Sequence, residues 1–368
     1  MKLSESLHYL GCPQCKRSLI EESNALLCKN CKLYYPIVDD IPYLLLEHAY
    51  SDKGDAQVTG EQGRYWDANK KASKYLVTQS PMRKYMDIVE IEEPLHWLNP
   101  SSDELILDLG CGSGRQLCAI SEKAPVIGVD RSVGMLQRTK DQLTNDNAFL
   151  VLGDATNVPI QDNAITKISS VRVIQHFNDQ DKQKTIAECY RMLKDGGYVQ
   201  LINYNKITPH YWFIAISSSV FRYPLNFILF FPTFLLSMIV KIWKVKIDTF
   251  SPIFAWKHPE IAKFSTMSGL SKKLRKANFN DIDTRKFQVG DVFISTILAR
   301  VWSKASEGTI SETFSILLFL FPEGTKRRYE RNLAMDRQAR TKKSLGWRLR
   351  FKDKVIAMAK KDAQDVEG

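Results

Sequence analysis

At 368 residues, with 44 % hydrophobic and 25 % charged side chains, the chain can hold one large domain and a small one, and its composition excludes wholesale disorder. The net charge of +11 is concentrated: residues 324–368 hold 14 Lys/Arg against 6 Asp/Glu, so the body is nearly neutral and is not marked as a nucleic-acid binder by its charge. Seven cysteines, four of them in two tight pairs, exclude a secreted disulfide framework and indicate a reducing compartment.

The first residues contain no apolar run suited to a signal peptide, so the expected location is the cytoplasm, with peripheral attachment to the cytosolic face of a membrane. Residues 1–48 read as a compact cysteine module. Cys12-Pro13-Gln14-Cys15 and Cys28-Lys29-Asn30-Cys31 give C-x2-C-x12-C-x2-C. Each pair forms a knuckle that turns two thiolates inward, and two knuckles complete a tetrahedral site for structural Zn2+ with Cys12, Cys15, Cys28 and Cys31 as ligands. The bland alternative is the same ribbon without its metal. With Tyr35-Pro36-Ile37-Val38 and Ile41-Pro42, residues 8–47 resemble the small zinc-ribbon domain of the tRNA-methyltransferase-activator type, a module also found fused to bacterial methyltransferases.

Residues 49–64 read as a polar linker, and 65–98 as one or two helices ahead of a sheet. Strand and helix signals then alternate. Strands are expected at Leu105–Asp108, Val126–Asp130, Phe149–Leu152, 165–174 and Tyr198–Ile202, and a helix over 180–194 that ends at Gly196-Gly197. The insertion 204–256 is apolar. A helix at 258–277 presents Leu270, Leu274 and Ala277, and strands near 282–288 and 292–300 close the domain 65–300. This rhythm predicts a mostly parallel α/β sheet. Residues 301–368 read as a basic tail. Cys111, Cys118 and Cys189 fall within expected core elements and read as small buried residues.

The sharpest motif is Asp108-Leu109-Gly110-Cys111-Gly112-Ser113-Gly114 between a strand and a helix. Glycines there let the backbone approach a ligand closely. The Asp stands before the first Gly, and no Lys-Ser/Thr follows to hold a phosphate. Asp130 ends the next strand, where an acid can take both ribose hydroxyls. Asp154, in Gly153-Asp154-Ala155, follows the third strand and is placed to meet an adenine amino group. The bland alternative is a nicotinamide-dinucleotide domain with a drifted fingerprint.

In order and spacing these segments, with Leu193-Lys194-Asp195-Gly196-Gly197-Tyr198, resemble the class I S-adenosylmethionine-dependent methyltransferase family over about residues 100–204 and 258–300. The resemblance implies a Rossmann-like seven-stranded sheet with its last strand antiparallel. It also implies that S-adenosylmethionine is held by Asp108, Gly110, Cys111, Gly112 and Gly114 at its methionine end. Asp130 and Arg131 would lie at the ribose, and Asp154, Ala155 and Val171 would line the rest of the pocket.

Methyl transfer from a sulfonium asks for alignment more than for acid–base help, since the methyl is already activated. A base is needed only for a poorly acidic acceptor. His176, past the fourth strand, is the best-placed candidate, with Tyr204 and His210 behind it. A capping role for His176 is the plain alternative.

The insertion holds the charge-free run Tyr223–Val240, 18 residues, about 27 Å as a helix and short of a hydrocarbon core of about 30 Å, with Pro232 near its middle. An interfacial or re-entrant arrangement fits better than a span, and a lid or dimer surface is the competing use. In the tail, Trp347, Phe351, Val355 and Met358 recur at helical spacing among Arg348, Arg350, Lys352 and Lys354, which suits an anionic lipid surface. A solvated terminus is the alternative. The favoured function is methylation of a lipophilic or lipid-linked acceptor at a membrane face, and the cofactor segments are broadly similar to quinone-biosynthesis methyltransferases. The rival is rRNA or tRNA methylation, with ribbon and tail gripping the phosphates. It is disfavoured because Val171 leads into Arg172-Val173-Ile174-Gln175-His176-Phe177 rather than an Asn-Pro-Pro-Tyr-like amine site. A cofactor-binding scaffold without catalysis is the third reading.

Overall fold

A computed structural model of the chain describes residues 1–51, 91–92, 94–204, 265–287 and 354–362. The chain divides into two compact units, one of Met1–Asn203, Met267–Arg285 and Val355–Gly368, the other of Tyr204–Thr266 and Lys286–Lys354. Nearly everything described lies in the first. The linker beyond residue 51, most of 65–98, the apolar segment 205–256, the strand expected at 292–300 and the helical spacing around Trp347 and Phe351 lie outside the described residues.

After a short helix, α1 (Leu3–Ser6), the cysteine module is a four-stranded antiparallel sheet of β1 (Ile20–Glu22), β2 (Ala25–Cys28), β3 (Leu33–Val38) and β4 (Ile41–Pro42) in sequential order. Its hairpins are tight for a local reason. Ser23 and Asn24 (φ 49° and 62°) join β1 to β2, and Asp39 and Asp40 (φ 49° and 61°) join β3 to β4. Two consecutive left-handed residues give the two-residue turn whose twist matches antiparallel strands, and Asn and Asp tolerate that conformation.

The second sheet comprises β5 (Ile106–Leu109), β6 (Val126–Asp130), β7 (Ala148–Leu152), β8 (Ile165–Val171), β9 (Leu193–Tyr204), β10 (Asp281–Phe287) and β11 (Lys354–Lys360), in the order β10-β11-β9-β8-β5-β6-β7. The five strands from β9 to β7 are parallel. Helices α2 (Arg115–Ser121), α3 (Val133–Gln142) and α4 (Asp179–Met192) connect them, and α5 (Met267–Lys276) precedes β10. The expected second strand matches β6 residue for residue. The fourth stops at Val171, because Arg172 takes a left-handed φ of 64° and turns the chain. Helix α4 ends at Met192, two residues early, so Gly196 and Gly197 lie within β9 instead of ending the helix.

The largest departure is at the tail. Residues 354–360 are an interior strand, not part of an amphipathic helix through Val355 and Met358. The backbone N–H of Gly196 donates to Lys361 O and that of Lys361 to Gly197 O, both at 2.9 Å, so the end of β11 lies beside the start of β9 and the two run antiparallel. Asn280 Nδ2 donates to Asp362 Oδ2 at 2.7 Å, which puts the start of β10 beside the same end. Ala357 and Ala359 are buried on a period of two, the pleat of a strand. Lys361 is buried too, its ammonium donating to Leu193 O at 2.8 Å.

The two sheets share one hydrophobic core. Leu10, Leu19, Leu26, Tyr35 and Leu44 of the cysteine module belong to the same cluster as Leu107, Val129, Val151, Ile168 and Leu201. Backbone pairing joins them as well. Tyr43 bridges Leu152 in parallel, and Leu44 N–H donates to Leu152 O at 2.8 Å, so the module covers β7, the edge strand. A covered edge no longer offers unpaired backbone groups to another chain. Further along, Gly11 N–H donates to Pro159 O (3.0 Å) and Gln161 N–H to Tyr9 O (2.9 Å).

Candidate cofactor site and cysteine cluster

Strand β5 delivers Asp108 to its carboxyl end, where the carboxylate is 1 % exposed. Burial, and next the charge of Asp130, push its pKa up to about 7. Asp108 Oδ2 has no hydrogen-bond partner, and neither end of the buried Gln116 amide, in the first turn of α2, has one. Buried polar atoms are rarely left so, and a polar ligand is what such groups call for.

The glycine turn between β5 and α2 is held from three sides. Gly110, Gly112 and Gly114 have φ of 76°, 55° and 81°. A Cβ on Gly110 would meet Val173 Cγ2 at 2.3 Å, and one on Gly114 would meet Thr139 Cγ2 at 2.7 Å. Thr139, on α3, donates from Oγ1 to Gly112 O at 2.8 Å. Asp130, at the end of β6, accepts the Gly112 N–H on Oδ2 at 2.8 Å and the Ser132 N–H on Oδ1 at 2.9 Å. Cys111 is buried beneath the turn, its thiol pushed well up by burial and by Asp130 and Asp108, which suits a packing residue.

Asp154 is more engaged than its position suggested. Its Oδ1 accepts from the backbone N–H and the hydroxyl of Thr156 (2.7 and 2.8 Å), and its Oδ2 from Arg131 Nη1 at 2.6 Å. Ala155 is partly buried against the core, and Val171 is half-buried at the end of β8. His176 is exposed in a single 3-10 turn, Ile174–His176, three residues beyond the Val173 that covers Gly110. That turn therefore borders the glycine loop. Tyr204 ends β9, and His210 lies outside the described residues. No sequence spacing points to Thr139 or Val173, which hold the glycine turn, or to Glu47, whose Oε1 accepts from Arg131 Nη2 at 2.8 Å.

In the cysteine module the four sulfurs of Cys12, Cys15, Cys28 and Cys31 lie within 4.8 Å of one another, with Cys15–Cys28 at 3.6 Å and Cys12–Cys31 at 4.0 Å. Sulfurs about 2.3 Å from a tetrahedral zinc are about 3.8 Å apart, so the donor set fits that ion. The thiols are unlike one another. Burial raises the Cys31 thiol, to about 12, whereas at Cys15 burial is outweighed by the Arg17 N–H and the neighbouring thiols, which bring it to about 7. A divalent cation is what would let all four ionise together.

The two sheets and their sites define a methyltransferase-type α/β domain carrying a four-cysteine ribbon. Residues 106–197 match the methyltransferase domain family, and residues 7–40 match the Trm112p-like protein family. The chain thus contains a class I S-adenosylmethionine-dependent methyltransferase domain, preceded by a Trm112p-like domain. Among curated relatives, an uncharacterized 37.1 kDa transposon protein of Streptomyces fradiae is 34 % identical over 33 % of this chain and 35 % of its own length. A demethylmenaquinone methyltransferase of Staphylococcus epidermidis is 26 % identical over 60 % of this chain and 90 % of its own. The chain therefore spans about a third of the first relative and nearly all of the second. Among solved structures, a complex of the Haloferax volcanii Trm112 methyltransferase activator with a methyltransferase is 15 % identical, at a TM-score of 0.47, over 83 % of this chain and all of that one.

Proposed function

We propose that the protein transfers a methyl group from S-adenosylmethionine to a lipophilic small-molecule or lipid-linked acceptor, working at the cytosolic face of a membrane, with Zn2+ as a structural ion in the ribbon. The observation that carries the acceptor class is where the apolar segment joins the sheet. In the parallel register Asp108 is level with Ser169, and Ser169 with Gln200. Strand β9 therefore ends at Tyr204, four residues or roughly 13 Å beyond the level of the buried acid. Open α/β sheets bind ligands at that carboxyl edge.

The sequence that follows β9 includes Trp212, Phe213, Phe230, Phe231 and Leu235, apolar side chains suited to an apolar acceptor. The quinone acceptor in the name of the Staphylococcus relative agrees with an apolar substrate. Among the described residues no helix is long and apolar enough to cross a membrane. The roles of this chain's residues follow from the geometry. Asp108 would face the ammonium group at the methionine end of the cofactor, Asp130 the ribose, and the glycine turn would let the backbone close on both. The bound cofactor supplies an electrophilic methyl. His176 is the proposed proton acceptor for an acceptor hydroxyl or carbon acid.

The alternative, RNA methylation, draws on the Trm112p-like match. Against it, Lys361 of the basic stretch is buried in the sheet. Lipid and RNA-modification profiling of a deletion strain decides between them. A lipid lighter by one methyl is expected; an undermethylated RNA with an unchanged lipid profile would overturn the proposal.

A further inference from the structure

We infer that Glu47 of the cysteine module is a positioning residue for the adenosine end of the cofactor, acting through Arg131 and Asp154. The inference rests on the S-adenosylmethionine reading of the site. Arg131 directly follows the ribose acid Asp130. Its Nη1 donates to Asp154 Oδ2 at 2.6 Å and its Nη2 to Glu47 Oε1 at 2.8 Å. One planar guanidinium is therefore pinned at both tips, by an acid from each sheet.

Two pins do what one cannot. A single carboxylate neutralises the arginine but leaves its plane free to swing about that contact, whereas two opposed carboxylates fix the plane. The orientation matters because of what Asp154 has left. A carboxylate has about four lone-pair sites. Thr156 takes two on Oδ1 and Arg131 takes one on Oδ2, so a single site on Oδ2 remains for an incoming amino group. Arg131 decides where that site points, and Glu47 holds Arg131.

Glu47 itself is set by backbone, not by chance. It lies in the 3-10 turn Leu46–His48, three residues after the Leu44 N–H that pairs with Leu152 at the β7 edge. Asp154 follows that same strand by two residues. The docking of the ribbon and the placement of the acid thus share one anchor. The three side chains are between 24 % and 34 % exposed, so salt should partly screen the bridge.

The test is calorimetric titration of the full chain with S-adenosylhomocysteine, using wild type, Glu47→Gln, Arg131→Met and the double variant. Glu47→Gln should weaken binding about fivefold at low ionic strength, with its melting temperature unchanged. The loss should shrink to less than about twofold at 1 M salt, where the Debye length is about 3 Å. In the Arg131→Met background Glu47→Gln should add nothing. Wild-type affinity in Glu47→Gln, a loss indifferent to salt, or the same loss without Arg131 would each overturn the inference. A wild-type chain that fails to bind S-adenosylhomocysteine would instead overturn the cofactor assignment beneath it.

Discussion

Asp130 accepts the backbone N–H of Gly112 at 2.8 Å, so the acid at the end of β6 and the turn after β5 form one hydrogen-bonded unit. The residue proposed to bind ribose therefore also shapes the loop proposed to hold methionine. Asp130→Ala should cost more than one ligand contact, with cofactor affinity falling at least about tenfold, since hydrogen bonds to a charged group contribute about 1.5–3 kcal/mol each. Calorimetry with S-adenosylhomocysteine checks it; undiminished affinity would mean that the acid does not serve the cofactor.

Asp108 predicts a pH dependence of defined sign. Its carboxyl is raised from 3.8 to about 7, by burial first and then by Asp130. Between those values the unfolded chain has lost this proton and the folded chain has kept it. The group's contribution to stability therefore declines as pH rises from about 4 to about 7 and is flat above. The ligand's α-ammonium beside Asp108 favours the ionised form, so S-adenosylhomocysteine should bind more tightly as pH rises towards 7, with Asp108 releasing a proton. Titration in two buffers of different ionisation heat measures that release, and Asp108→Asn should abolish it. Equal proton release by the variant would remove Asp108 from the site.

Thr139 is a quieter test of the glycine turn. Thr139→Val keeps the branched shape against Gly114 but deletes the hydroxyl that donates to Gly112 O. Stability should fall by about 1 kcal/mol, and cofactor affinity with it. Denaturant melts paired with calorimetry would contradict the assignment if stability fell while binding held.

The shared core makes the metal prediction a global one. Purified protein should hold one zinc per chain by elemental analysis. Cys28→Ser or a strong chelator should lower the melting temperature of the whole first unit, because Leu26 and Tyr35 pack in one cluster with Leu107 and Val151. Two separated transitions, with only one responding to chelator, would show the ribbon to be energetically independent.

Removing residues 354–368 should abolish soluble folding, whereas removing 363–368 should be tolerated. The first cut takes β11, with buried Ala357, Ala359 and Lys361, out of the middle of the sheet. Soluble yield and far-ultraviolet dichroism distinguish the outcomes; a well-folded chain ending at 353 would refute the interior strand.

Legibility followed the range of the interactions. Asp108 to Gly114, Asp130 and the four cysteines announce themselves because a turn or knuckle needs particular residue types at short spacing. Strand β6 is legible through its unbroken Val-Ile-Gly-Val core. Lys354–Lys360 reads as helix in the sequence because Val355 and Met358 also fit a helical period amid basic neighbours, yet it is a strand. Its true partners, Gly196 and Gly197, are some 160 positions upstream. The Glu47–Arg131 pair, 84 residues apart, is hidden for the same reason. No local pattern encodes a partner on another sheet.

The placement of β11 also bears on how the chain is made. Its neighbour β9 is complete at Tyr204, and β10 at Phe287, yet the strand that joins them begins only at Lys354. During synthesis the nascent sheet would carry an open slot with two raw edges until Lys354–Lys360 emerges. Such late, distant pairing slows folding and invites association with other unpaired strands. Holding those edges apart until β11 arrives is a natural task for a chaperone.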